Sequence, residues 1–494
     1  LPLGLMAQTI KGKVTDSSSQ GLPFMNVLVK GTSNGTTTDD NGEFSITVKE
    51  LPVNLVVSSI GFKTKVINVS NSSYITITIQ DGNESLEEIV VIGSRNAKRT
   101  AVDTPVPVDI IDVQDLATKN GKVEVNDILQ YAAPSFNATK QSGSDGADHI
   151  VPASLRGLGP DQTLVLINGK RRHQSSLVNI FGTRGRGNSG TDLNAIPASA
   201  IKRIEVLRDG ASAQYGSDAI AGVINIVLKD NTDGISAGIT YGAYSTNVGK
   251  GWEAETGETL WNVNGKNRLD GKDKNFDGGS FKLDLNYGAK INDKGGFINF
   301  TTEFLSKDNT LRPGFSWRKG YGSAGIDGFN FMVNSIIPIS ETTEVYAFGG
   351  RNYRDTNAYA FSRSSFADGD NRSVPSIYPN GFTPRITSII TDGSLSAGVK
   401  HELDNGWNLD FNNTYGVNKF HYFIKDSNNA SLGSASPTDF DAGGHSLSQN
   451  TTGLDFSKYF EKTAEGLNIA FGLEYRTENF QIFAGDEASY GLYD

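Results

Sequence analysis

The chain has 494 residues, a formal charge of −10 and no cysteine, which excludes disulfides and thiolate metal centres, and its isoelectric point near 5.2 argues against a nucleic-acid binder. Only 37% of the residues are hydrophobic, the mean hydropathy is −0.33, and no apolar run approaches the roughly 18 residues a membrane-spanning helix needs. The 26 Phe, 17 Tyr and 56 Gly suit a protein of many strands and turns.

In chain order, Leu1, Leu3, Leu5 and Met6 before Ala7-Gln8 read as the last part of a signal peptide's apolar region, residues 1–7, which implies export. From 8 to 81, "IKGKVTD", "MNVLVKGT", "GEFSITV", "LVVSSIG" and "YITITIQ" are β-rich runs, and "TTTDDNGEF" places an Asp/Asn/Gly turn between two of them. A small β-sandwich is predicted, with no catalytic constellation in it. Residues 85–95, "SLEEIVVIGSR", set Glu87 and Glu88 before the short run Ile89, Val90, Val91, Ile92, with no partner strand within hairpin distance. Such a sticky strand is ordinarily hidden.

Residues 98–230 are mixed. "VNDILQYA" has helical spacing, "TLVLINGKR" is a buried-strand run ending in a turn, and "IPASAIKRIEVL" reads as a short helix running into a strand. From 234 to 494 the period is two: Phe281, Leu283, Leu285 and Tyr287 alternate with Lys282, Asp284 and Asn286, and Leu467, Ile469, Phe471, Leu473 and Tyr475 oppose Asn468, Glu474 and Arg476. The short connections "INDKGG", "PISETT", "ELDNGW" and "EKTAEG" alternate with long polar segments near 246–279, 307–325, 365–393 and 425–447. That alternation is the signature of an outer-membrane barrel, and nine strands are predicted.

"IEVLRDGASAQYGSDAIAGVINIVLK", Ile204 to Lys229, together with "LRGLG", Leu155 to Gly159, resembles the plug domain of TonB-dependent outer-membrane receptors. The order G-x-V-T-D, P, N-V, G-T, T-D-x-N-G-x-F-S-I in the first 81 residues resembles the carboxypeptidase-regulatory-like domain found in front of some of these transporters. The expected fold is therefore mainly β: an N-terminal β-sandwich, an α+β plug, and the first strands of a transmembrane antiparallel β-barrel. The resemblance implies a barrel of about 22 strands, so the sequence is expected to stop inside it.

By the same resemblance, Glu87, Glu88, Ile89, Val90, Val91 and Ile92 form a TonB box, captured at a sheet edge of TonB by β-augmentation. The resemblance further implies active transport of a scarce siderophore-, glycan- or peptide-like solute across the outer membrane of a Gram-negative bacterium. The barrel would sit in outer-membrane lipid with the N-terminal domain in the periplasm, no cofactor, and no chemical transformation. The starch-utilisation branch shares the extra domain and works with a surface lipoprotein partner, whereas "VVIGSR" looks more like the general receptor branch. A non-transporting surface receptor or adhesin is the alternative, and it would need no coupling segment.

Two stretches suggest binding. The resemblance implies that Lys170, Arg171, Arg172, His173, Arg184 and Arg186 gather at a plug apex, either for an anionic ligand or to pair with carboxylates of the barrel wall. Asp273, Asn275 and Asp277, then Gly278, follow the spacing of a calcium loop without its final Glu; a solvated polar loop is the other reading. "GISAG", Gly234 to Gly238, matches a nucleophile elbow but continues as an alternating strand, and "GRGNSG", Gly185 to Gly190, lacks a surrounding βαβ unit. The histidines 149, 173, 401, 421 and 445 lack zinc-site spacing and read as surface or lumen residues.

Overall fold

The computed structural model describes residues 8–16, 19–30, 32, 34–49, 51–59, 62–79, 108–180, 183, 185–208, 212–232, 234–248, 262–263, 266–267, 274–310, 312–315, 318–320, 322–460, 463 and 466–493. The signal-peptide stretch, Glu87 to Ile92, Arg184 and Asp273 lie outside them. The chain forms two compact units, Leu1–Val90 with Ala97–Val102, and the remainder.

In the first unit a three-stranded sheet (Glu43–Val48, Gln8–Thr15, Ile75–Thr78) and a four-stranded sheet (Gly35–Thr37, Asn26–Val29, Val53–Ser59, Phe62–Val69) share one core. Alternate residues fill it, among them Ile10, Val14, Val27, Phe44, Ile46, Leu55, Val57 and Ile77. The predicted Asp/Asn/Gly turn is present: Asp39 Oδ1 accepts from the amides of Asn41 (3.0 Å) and Glu43 (2.8 Å), and Gly42 takes φ +79°. Two strands were not foreseen. Gly35–Thr37 is too short for a periodic signal, and Phe62–Val69 carries the lysines that suit an edge.

The second unit opens with a five-stranded sheet in the order Lys170–Arg171, Thr163–Ile167, Gly222–Leu228, Ile201–Leu207, Val108–Asp112. The predicted helix is Val125–Ala132, burying Val125, Ile128 and Leu129. An unforeseen helix, Val113–Asn120, is made by its ends: Asp112 accepts from the amide of Asp115 at 2.9 Å, and Gly121 closes it at φ 64°. The helix expected in "IPASA" is a single 3₁₀ turn, Ala198–Ala200, because the strand Ile201–Leu207 captures the backbone immediately after it.

Beyond it, nine described strands form one antiparallel sheet, each paired with its chain neighbours: Gly234–Val248, Lys274–Lys290, Phe297–Lys307, Gly325–Pro338, Thr343–Tyr359, Arg385–Glu402, Asn408–Lys425, Phe440–Phe460 and Leu467–Phe483. Short and long connections alternate as predicted, but three strands begin inside the segments expected to be long connections, at Lys274, Arg385 and Phe440. Polar residues there are held by a partner strand, a constraint that periodicity does not register. "GISAG" lies in the first strand. Phe281, Leu283, Leu285 and Tyr287 are exposed on one face, while Lys282 and Asn286 are buried on the other, where the plug packs.

Candidate functional site

The basic apex is built by a two-residue hairpin. Asn168 (φ 47°) and Gly169 (φ 79°) turn Thr163–Ile167 back into Lys170–Arg171, and the next residues run along the wall. Lys170 Nζ lies 2.9 Å from Asp410, which also accepts from Tyr346 Oη at 2.8 Å. Arg171 binds Asp218 of the plug at 2.5 Å, and Arg476 of the last strand reaches the same carboxylate at 2.9 Å. Arg172 donates to Asp392 and Ser394. His173 Nε2 lies 2.9 Å from the other oxygen of Asp392, where Asn418 Nδ2 donates at 2.9 Å. Of the two roles open to the apex, these four side chains show the pairing one, mostly with wall carboxylates.

Further pairs tie plug to wall. Glu124, just before Val125–Ala132, accepts from Lys307 at 2.6 Å and Lys140 at 3.1 Å. Burial raises its carboxyl pKa, but the two ammonium groups outweigh that and hold it well below the usual carboxylate range. Arg354 donates to the buried Asp192, and His149 meets Thr356 and Ser388. His149 and His173, expected at the surface or in the lumen, are each only 2% exposed, and burial lowers both pKa values. No local pattern marks Glu124, Asp192 or His149, since each gains its role from a strand more than 150 residues away.

Of the stretch with calcium-loop spacing, Asn275 and Asp277 lie in the strand Lys274–Lys290, paired with Gly234–Val248, and Gly278 takes φ 60° at a shift of register. Among the described residues, no group of three His, Asp or Glu side chains could hold a metal ion. Arg186 is exposed, in the turn that "GRGNSG" forms.

Residues 100–223 match the TonB-dependent Receptor Plug Domain. The chain carries the plug domain of the TonB-dependent receptors and is similar to them in sequence over that region. Residues 10–91 match the CarboxypepD_reg-like domain. The chain is 32% identical over 165 residues to the ferric enterobactin receptor PirA of Pseudomonas aeruginosa, covering 33% of this chain and 22% of PirA. It is 29% identical over 238 residues to the TonB-dependent receptor SusC of Bacteroides thetaiotaomicron, covering 47% and 22%. In fold it is similar to a mutant of the ferric enterobactin receptor PfeA from Pseudomonas aeruginosa, with TM-score 0.51 and 16% identity over 78% of this chain and 50% of that one. The chain thus matches about a fifth of the length of these curated relatives and half of that solved structure. These relatives are receptors rather than enzymes, and the family's members are outer-membrane β-barrel proteins of Gram-negative bacteria.

Proposed function

We propose that the receptor imports a scarce solute across the outer membrane, with the plug as the gate of the barrel and no chemical change to the cargo. The observation that carries this reading is how the plug is held: charged and polar pairs such as Arg172–Asp392, Arg354–Asp192 and Glu124–Lys307 join it to the wall. A polar seam of this kind can exchange its partners for water when the plug is pulled, which an oil-filled seam resists. TonB supplies the pull through Glu87 to Ile92, from the periplasm, where the N-terminal sandwich lies. Arg184 and Arg186 remain the proposed anion contacts, and Lys170 to His173 act as seating residues.

The relatives include ferric enterobactin receptors and SusC, so ferric siderophores and glycans are the first cargo classes to try. Labelled candidates should be offered to cells carrying the full-length receptor, with and without TonB and with and without a proton uncoupler. Energy-dependent accumulation that needs TonB supports transport. Saturable surface binding that never becomes accumulation makes the protein a non-transporting receptor.

A further inference from the structure

On the strand Thr343–Tyr359, Asn352, Arg354 and Thr356 are buried towards the plug, so Arg351, Tyr353 and Asp355 face the opposite way. That outer face is apolar around them: Phe329, Phe331, Tyr353 and Leu395 are all exposed on it. Register places Arg351 directly between Phe331 on one neighbouring strand and Gly393 on the other. A Cβ added at Gly393 would lie 3.4 Å from Arg351 Nη1 and 3.5 Å from its Cδ, so the glycine leaves the space in which the side chain lies against the next strand. Among the described residues, Arg351 has no hydrogen-bond or carboxylate partner, although it is exposed.

A guanidinium keeps its charge at any physiological pH, and one facing hydrocarbon is costly unless it meets an anion. Among the described residues the wall does not supply that anion beside it: Asp355 and its cross-strand partner Asp327 lie two rows further on, and Asp327 accepts from Ser306 at 2.6 Å. Arg351 sits one outward position further from the long connections than the exposed pair Tyr353 and Phe329. Its long stem lets the guanidinium reach past that pair towards headgroup depth. Its planar fork matches two oxygens of a phosphate.

We propose that Arg351 holds the phosphate of a membrane lipid, in the leaflet on the side of the long connections. The inference rests on the barrel reading above, and recovery of the full-length receptor in the outer-membrane fraction tests that reading separately. For the site itself, full-length receptor, stripped of lipid in detergent, should be given bisphosphorylated lipid A, the same lipid with its phosphates removed, or inorganic phosphate. Bound molecules are then counted by native mass spectrometry. The wild type should retain one phosphorylated lipid, Arg351→Lys should hold it less tightly, and Arg351→Leu should lose at least about tenfold in affinity. Equal retention by Arg351→Leu, or equal binding of the dephosphorylated lipid, overturns the site. Inorganic phosphate bound as tightly as the lipid overturns the lipid and leaves only a soluble-anion contact.

Discussion

Asp392, on the wall, accepts Arg172 of the plug, and both side chains are buried, at 3% and 4% exposure. The second oxygen of the same carboxylate is shared by His173 and Asn418, so Asp392 is the point at which three other polar side chains converge. Removing one member of such a set leaves buried charge without a partner, at a cost of about 3–5 kcal/mol. Asp392→Ala in the full-length receptor should therefore raise hydrogen exchange of the plug around 163–177 while the far strands of the barrel stay protected. Unchanged exchange would show that the pair does not hold the plug.

Gly416 lies under the ring of His173, where a Cβ would fall 2.0 Å from Nδ1. Gly416→Ala should push the ring away from Asp392 and destabilise the seated plug by about 1–3 kcal/mol. The urea midpoint of the plug reads this directly; a midpoint equal to wild type would mean the seam gives way at no cost.

Acid should act through Glu124. Its folded pKa lies below the ordinary 4.5, so the stability it contributes is complete above pH 4.5 and fades as pH falls towards its folded value of about 2. Glu124→Gln should cost roughly 1.5–3 kcal/mol at neutral pH, and the gap to wild type should close in acid. Plug unfolding in urea from pH 7 to pH 3 would show the two curves converging. A constant gap would mean the carboxylate's charge is not what holds Lys307 and Lys140.

Coupling to TonB is tested by Val90→Pro. Proline removes a backbone donor and fixes φ, so a strand added to TonB's sheet edge should break while plug and barrel stay folded. Ligand should still bind cells, but energised uptake should stop; Ser85→Pro, ahead of the box, should transport normally. Normal import by the Val90→Pro receptor would reduce the stretch to an apolar linker.

Arg184 and Arg186 changed together to Ala should weaken binding of an anionic ligand and flatten its dependence on salt. The same affinity at low and high ionic strength would assign both arginines to structure.

What the sequence determined by itself is what repeats locally. Alternation from Phe281 to Tyr287, the strict exchange of short and long connections, the helical spacing of Val125 to Ala132 and the Asp39 to Gly42 turn each depend on residues a few positions apart, and all four appear in the fold. Only the tertiary structure decided which charges meet. Lys170 finds Asp410 across 240 positions, Arg172 finds Asp392 across 220, and Arg354 finds Asp192 across 162. A basic run has the same composition whether it faces a ligand or a carboxylate, and a histidine looks the same in sequence whether solvated or sealed. The register between plug and wall selects one outcome, because it brings an opposite charge to within hydrogen-bond distance and excludes the water that would otherwise serve each group.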